Sequence, residues 1–127
     1  AYLFFSLYVE PCNSSAVWPL CHPLSFKAYI DHIVRVGRTF AILDGQFKGL
    51  VGRKKVLFIT SRGDNYDVGS PHEGWDAQEP ALRFAFQFIG VADIRFIHAS
   101  GLDLCEESRR VGMADARSQI QQLVSVW

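Results

Sequence analysis

The hydrophobic pattern changes period several times along the chain, and each change marks an element. Val56-Leu57-Phe58-Ile59-Thr60 is an uninterrupted apolar and β-branched run, entered through Lys54-Lys55 and closed by Ser61-Arg62-Gly63. A short run without alternation suits a strand covered on both faces, as in a parallel sheet. Tyr2 to Val9, rich in aromatic and β-branched types, predicts a second strand, and Asp93 to Ala99 a third, ended by Ser100-Gly101. Between these runs the period lengthens. Pro23 suits a helix N-terminus, and Leu24, Ala28, Ile30, Ile33 and Val34 predict a helix over Leu24 to Val36, with Gly37 as its stop. Asp31 and Arg35, four apart on that helix, are expected to pair. Glu79-Pro80 opens a second helix over residues 81–89, ended by Gly90. Cys105 to Trp127 predicts the last helix, with Met113, Ala116, Ile120, Leu123 and Val124 as its apolar stripe and Glu106-Glu107 complementing its N-terminal dipole. Thr39 to Leu43 and Phe47 to Val51 flank Asp44-Gly45, a hairpin turn signal, and predict a small flap.

The order is strand, helix, flap, strand, helix, strand, helix. It predicts βαβ units with right-handed crossovers, hence an α/β fold with about three main parallel strands. Two stretches resist the pattern. Residues 10–22 (EPCNSSAVWPLCH) admit neither a central strand nor a regular helix around Pro19, and read as an irregular loop or as sequence that replaced something longer. Asp64 to Gln78 lacks periodicity, which in a small domain points to a functional loop or lid. Trp75 within it either packs the loop onto the core or faces a ligand. The helix over 81–89 carries two apolar stripes, Leu82-Ala85-Phe86-Ile89 and Ala81-Phe84-Phe88, where a surface helix needs one. The second stripe implies a partner subunit, a ligand, or burial on all sides.

Composition narrows the function classes. A chain of 127 residues allows one domain, and 49% hydrophobic content supports a core. The formal net charge is zero, which gives no bulk attraction for nucleic acid or an anionic membrane. Residues 1–9 fall short of the ~20 needed to span a bilayer. Cys12, Cys21 and Cys105 are odd in number and irregularly spaced, as expected of reduced cytoplasmic thiols. His22, His32, His72 and His98 form no metal spacing with them, so no metal is expected. In parallel sheets ligands bind beyond the carboxyl ends of the strands, which makes Ser61-Arg62-Gly63 the candidate site. The alternative is a polar turn after a buried strand. His98, at another carboxyl end, is expected to be a half-buried structural histidine for want of a visible partner.

From Phe26 to Val126 the chain resembles the C-terminal half of the FMN-dependent NADH azoreductases, which are flavodoxin-like NAD(P)H:quinone oxidoreductases. The resemblance rests on Phe26 to Asp31 (FKAYID), Arg35 to Phe40 (RVGRTF), Gly49 to Lys55 (GLVGRKK), Ile59 to Gly63 (ITSRG), Phe88 to Gly90 (FIG) and Asp93 to Ala99 (DIRFIHA). It divides the chain into a divergent segment, 1–25, and a half-domain, 26–127. It implies a truncated flavodoxin-like parallel sheet, a cytoplasmic homodimer, and FMN at the carboxyl ends of the strands. Electrons pass from NAD(P)H through the flavin to a quinone or azo compound. By the same resemblance Ser61, Arg62, Gly63 and Asp64 lie along the isoalloxazine edge. Pro19, Leu20, Cys21 and His22 stand at a second flavin-contacting motif, and Phe88 reaches the partner's active site.

The sequence also departs from that pattern. The serine-rich loop that holds the flavin phosphate belongs to a further ~80 residues of the family's fold. Ser14-Ser15 does not replace it, since a phosphate needs donors at a helix start. Cys21 and His22 replace Tyr and Asn, Asp64 replaces a glycine, and Ile42 replaces an aromatic. Weak or lost FMN binding is the corresponding expectation. The alternative function is a flavin-free relative that keeps only the oligomerising half, and a third reading makes residues 1–25 foreign to the family.

Overall fold

Residues Lys55–Ser61 form the central strand β4 of a three-stranded parallel sheet, where the doubly apolar run predicts it. The structure is a computed structural model that describes residues 2–7 and 24–126. In chain order the elements are β1 (Tyr2–Leu7), α1 (Leu24–Ile33), β2 (Phe40–Leu43), β3 (Gln46–Gly49), β4, α2 (Gln78–Phe88), β5 (Asp93–Ala99) and α3 (Glu106–Val124). The sheet order is β1-β4-β5, with β1 in register from Tyr2 opposite Lys55 to Leu7 opposite Thr60. On the other side β5 runs from Asp93 opposite Lys55 to Ala99 opposite Ser61.

Alternation along β4 sends its side chains into two cores. Val56 and Phe58 pack with Phe26 of α1, Leu82, Phe86 and Ile89 of the α2 segment, and Ile94 of β5. Phe58 meets Phe86 edge-on at 5.2 Å and stacks on Phe96 at 4.8 Å. Leu57 faces the other way, with Ile97, Ala99 and Ala116 of α3. Helices therefore cover both faces, the arrangement that a continuous apolar strand requires. Each fully buried Phe or Leu contributes about 1.5–3 kcal/mol relative to exposure.

The flap is the antiparallel pair β2–β3, with Asp44 and Gly45 at φ 51° and 76°. Both values are left-handed, as the twist of a two-residue hairpin demands. Its base docks where α2 turns into β5. Val51 N–H donates to Ile89 O at 2.9 Å, and a Cβ on Gly49 would stand 2.2 Å from the Gly90 nitrogen. Only glycine fits that approach.

Four expectations change. Helix α1 stops at Ile33 rather than Val36, because the Thr39 hydroxyl donates to Ile33 O at 2.6 Å and accepts from Arg35 N–H at 2.9 Å. Asp31 pairs with Lys27, one turn earlier, instead of Arg35. Helix α2 starts at Gln78, after its N-cap Ala77, where the Asp76 carboxylate accepts from the first N–H groups, as described below. On α3, Ala116 is buried and Ile120 and Leu123 pack beside it, but Met113 and Val124 are exposed.

Candidate functional site

The carboxyl ends of β4 and β5 continue as two laced loops. Arg62 N–H donates to Ala99 O at 2.8 Å, Leu102 N–H to Arg62 O at 3.0 Å, Asp103 N–H to Gly63 O at 2.9 Å and Gly101 N–H to Asp64 O at 3.1 Å. The parallel pairing thus extends past the strands and holds 61–64 against 101–103. A Cβ on Gly63 would stand 2.5 Å from the Asp103 carboxylate, so the two loops touch there. Ser61, Gly63 and Asp64 are half-buried at this edge.

Beneath the loops lies a polar network. Arg62 is 7% exposed, and its guanidinium donates to Asp76 Oδ2 at 2.7 Å. A buried cation without such a partner is strongly destabilising. The other oxygen of Asp76 accepts from the N–H groups of Gln78 and Glu79, at 2.9 and 3.2 Å, and so satisfies the open donors of the first turn of α2. Glu79 pairs with Arg83 and accepts from His98 Nε2 at 2.9 Å. A carboxylate only accepts, so Nε2 carries the proton and Nδ1 is the acceptor, taking the hydroxyl proton of Thr60 at 2.6 Å. Thr60 is 1% exposed and has no water to turn to.

The network sets the charge states. Burial and the nearby Arg62 cation push the His98 imidazole below its usual value, against an opposite pull from Glu79. Burial alone would raise the Glu79 carboxyl, but hydrogen bonds from Arg83 and His98 outweigh it and hold the carboxyl low. Burial, then the Asp64 carboxylate, raises the Tyr66 phenol, whose ring lies 5.8 Å from the Arg62 guanidinium carbon.

Asp76, Glu79 and His98 place three possible ligand atoms within 4.8 Å of one another, a grouping that sequence spacing did not suggest. Two guanidinium groups already sit on the two carboxylates, and the imidazole donates to one of them. A divalent cation there would face that positive charge, so the donor set fits a proton-bridged network better than a metal.

Of the residues singled out from the sequence, Ser61, Arg62, Gly63 and Asp64 come together at this edge. Pro19, Leu20, Cys21 and His22 lie outside the described residues. Arg62 turns inward to Asp76. Asp64 turns to its own loop, accepting from Asn65 N–H at 2.7 Å and lying 2.8 Å from His72 Nδ1 without hydrogen-bond geometry. Phe88 is elsewhere, 4.8 Å from Phe40 and 5.3 Å from Phe47 between α2 and the flap. Trp75 stays 56% exposed beside His72. His98 is half-buried as expected, and its partners are Glu79 and Thr60. The sequence reading missed Asp76 and Glu79. Their signal was an acidic residue with Glu three places on, the spacing of a helix start.

The first turns of α2 and α3 do not suit a phosphate. The first turn of α2 is filled by the Asp76 carboxylate, and that of α3 carries Glu106 and Glu107. A phosphate dianion needs open donors at such a turn.

The family model for the flavodoxin-like fold matches residues 15–124, and the chain belongs to that family. Among curated proteins, one named FMN-dependent NADH:quinone oxidoreductase 2, from Trichormus variabilis, is 51% identical over 106 residues, covering 83% of this chain and 51% of the relative. A protein of Azotobacter vinelandii, named FMN-dependent NADH:quinone oxidoreductase, is 40% identical over 101 residues, covering 80% of this chain and 49% of its own. The chain spans about half the length of the curated relatives it matches. The solved azoreductase AzrA superposes with a TM-score of 0.79 at 20% identity, covering 99% of this chain and 56% of that one. An azoreductase of Bacillus anthracis gives 0.68 at 23% identity over 91% of this chain and 53% of its own. At those identities the structures speak for the fold alone.

Proposed function

We propose that this chain is part of an FMN-dependent oxidoreductase that carries electrons from NAD(P)H to quinones or azo compounds, and that Ser61 to Asp64 form its wall along the polar edge of the flavin. One observation carries the reading: the 61–64 loop stands at the carboxyl end of the central strand, laced to 101–103, where a parallel sheet receives its ligand. The names of the relatives at 40–51% identity support the cofactor and the electron donor. When bound, the flavin supplies the electron chemistry. The chain's residues supply position: Ser61 and the backbone of 62–64 face the ring edge, and the Arg62–Asp76 pair fixes the loop from below. The phosphate anchor in this reading lies outside the described residues.

A homodimer belongs to the same reading. Phe84 is 71% and Phe47 65% exposed beside Phe88, an apolar band that a second copy would cover. The setting is cytoplasmic, in keeping with a free exposed thiol at Cys105.

The acidic first turns of α2 and α3 favour a second reading, a flavin-free chain that keeps the assembly surface. An FMN titration by flavin fluorescence and calorimetry separates the two, followed by NADH oxidation with a quinone acceptor. The first reading predicts saturable binding and quinone-dependent turnover. Colourless protein with no heat of binding at saturating FMN leaves the second.

A further inference from the structure

The two residues that bracket the loop between β4 and α2 face each other. Arg62 leaves the carboxyl end of β4, and Asp76 precedes the first turn of α2. Their side chains, 6% and 19% exposed, meet at 2.7 Å. Inside the loop the bonds are short in sequence: Asp67 N–H to Asn65 Oδ1, Gly69 N–H to Glu73 Oε2, Ser70 N–H to Asp67 O and Trp75 N–H to His72 O. Such bonds shape the loop without anchoring it to the sheet.

Gly63 and Asp64 are laced to 101–103 through their carbonyls, and the side-chain contacts of the rest of the loop gather at the bracketing pair. Tyr66 places its ring near the Arg62 cation, and His72 lies beside Asp64 and Trp75. We infer that the Arg62–Asp76 pair is a clasp that holds the 63–75 loop in place at the flavin edge, with Asp76 as the positioning residue. The flavin half of this statement rests on the function proposed above, and the clasp itself does not. Charge-assisted hydrogen bonds in a dry setting are strong and directional.

Asp76→Asn tests the clasp, because the amide oxygen can still accept from the Gln78 and Glu79 N–H groups while the charge facing Arg62 is gone. Hydrogen exchange on the intact chain is expected to quicken at amides within 64–75 by about tenfold or more beyond any rise at Val56 to Thr60, which report the stability of the whole fold. FMN affinity is expected to fall about tenfold, the scale of one lost charge-assisted hydrogen bond. Unchanged exchange in the loop overturns the clasp. Faster exchange spread equally through β4 also overturns it, since Asp76 would then only stabilise the fold. A quickened loop with wild-type FMN affinity overturns the positioning role. If the wild-type chain binds no FMN, the flavin reading falls alone and the exchange data still decide the clasp.

Discussion

The two ends of α2 are held in opposite ways. Its first turn is fixed by charge: Asp76 and Glu79 gather Arg62, Arg83 and His98 under the carboxyl edge of the sheet. Its last turn is fixed by rings: Phe88 sits between Phe40 and Phe47 of the flap, next to the exposed Phe84. The charged end is largely half-buried, directional and closed on itself. The aromatic end is tolerant in geometry and incomplete, with much of Phe47 and Phe84 in water. Hydrogen bonds fix positions to tenths of an ångström, as a cofactor wall requires. Apolar contact fixes area, as an interface requires. In the proposed function, the same helix gives one end to a site and leaves the other for assembly.

The contrast breaks first at the charged end. Asp76→Ala leaves the Arg62 guanidinium buried without a counter-ion and strips the cap from α2. Urea unfolding is expected to show a loss of about 3–5 kcal/mol. A loss under 1 kcal/mol would mean that Arg62 finds water or another partner.

Two neighbouring phenylalanines sharpen it next. Phe86 is 0% exposed in the core and Phe84 is 71% exposed, two positions apart on one helix. Phe86→Ala is expected to cost about 3–5 kcal/mol, and Phe84→Ala no more than about 0.5 kcal/mol in the monomer. Sedimentation should show the reverse ranking, with Phe84→Ala weakening self-association.

Acid provides a graded version of the first test. The folded His98 value lies below 6.5, so as pH falls past 6.5 the unfolded chain takes up a proton that the folded chain resists, and stability drops until the folded value is passed. The folded Glu79 value lies below 4.5, so its contribution is present above 4.5 and is lost as pH falls through the folded value. Both act in the same direction. The urea midpoint is expected to decline from about pH 6.5 downward, and His98→Gln to remove the upper part of that decline. A flat midpoint between pH 7 and pH 5 would contradict the neutral imidazole.

The smallest effect falls on the surface. Lys27→Ala removes an i,i+4 pair whose side chains are 59% and 61% exposed, and should change stability by no more than about 0.5 kcal/mol. A larger loss would assign that pair to an interface.

The fold was legible where one physical signal dominates. The continuous apolar run at 56–60 suits a doubly covered strand, and Asp44-Gly45 is a strong signal for a tight hairpin turn. Element ends were less legible. Val36 follows the helical period, but Thr39 spends its hydroxyl on Ile33 and ends α1 early. Asp31 had two basic neighbours four residues away, and pattern alone could not choose Lys27 over Arg35. At the candidate site, Ser61 to Gly63 stood out because they end the central strand, and Asp64 came from the resemblance alone. Asp76 and Glu79 were passed over because they sit at the far side of an aperiodic loop and meet His98 only through the crossover. Their partnership is long-range, and no local pattern carries it.

The central claim is that the carboxyl-edge loops form the flavin wall. Amide chemical shifts followed by NMR during an FMN titration test it directly. The account predicts saturable shifts concentrated in residues 61–64 and 101–103, with the flap and the last turn of α3 unmoved. Shifts confined to the flap or to α3, or none at saturating FMN, would contradict it.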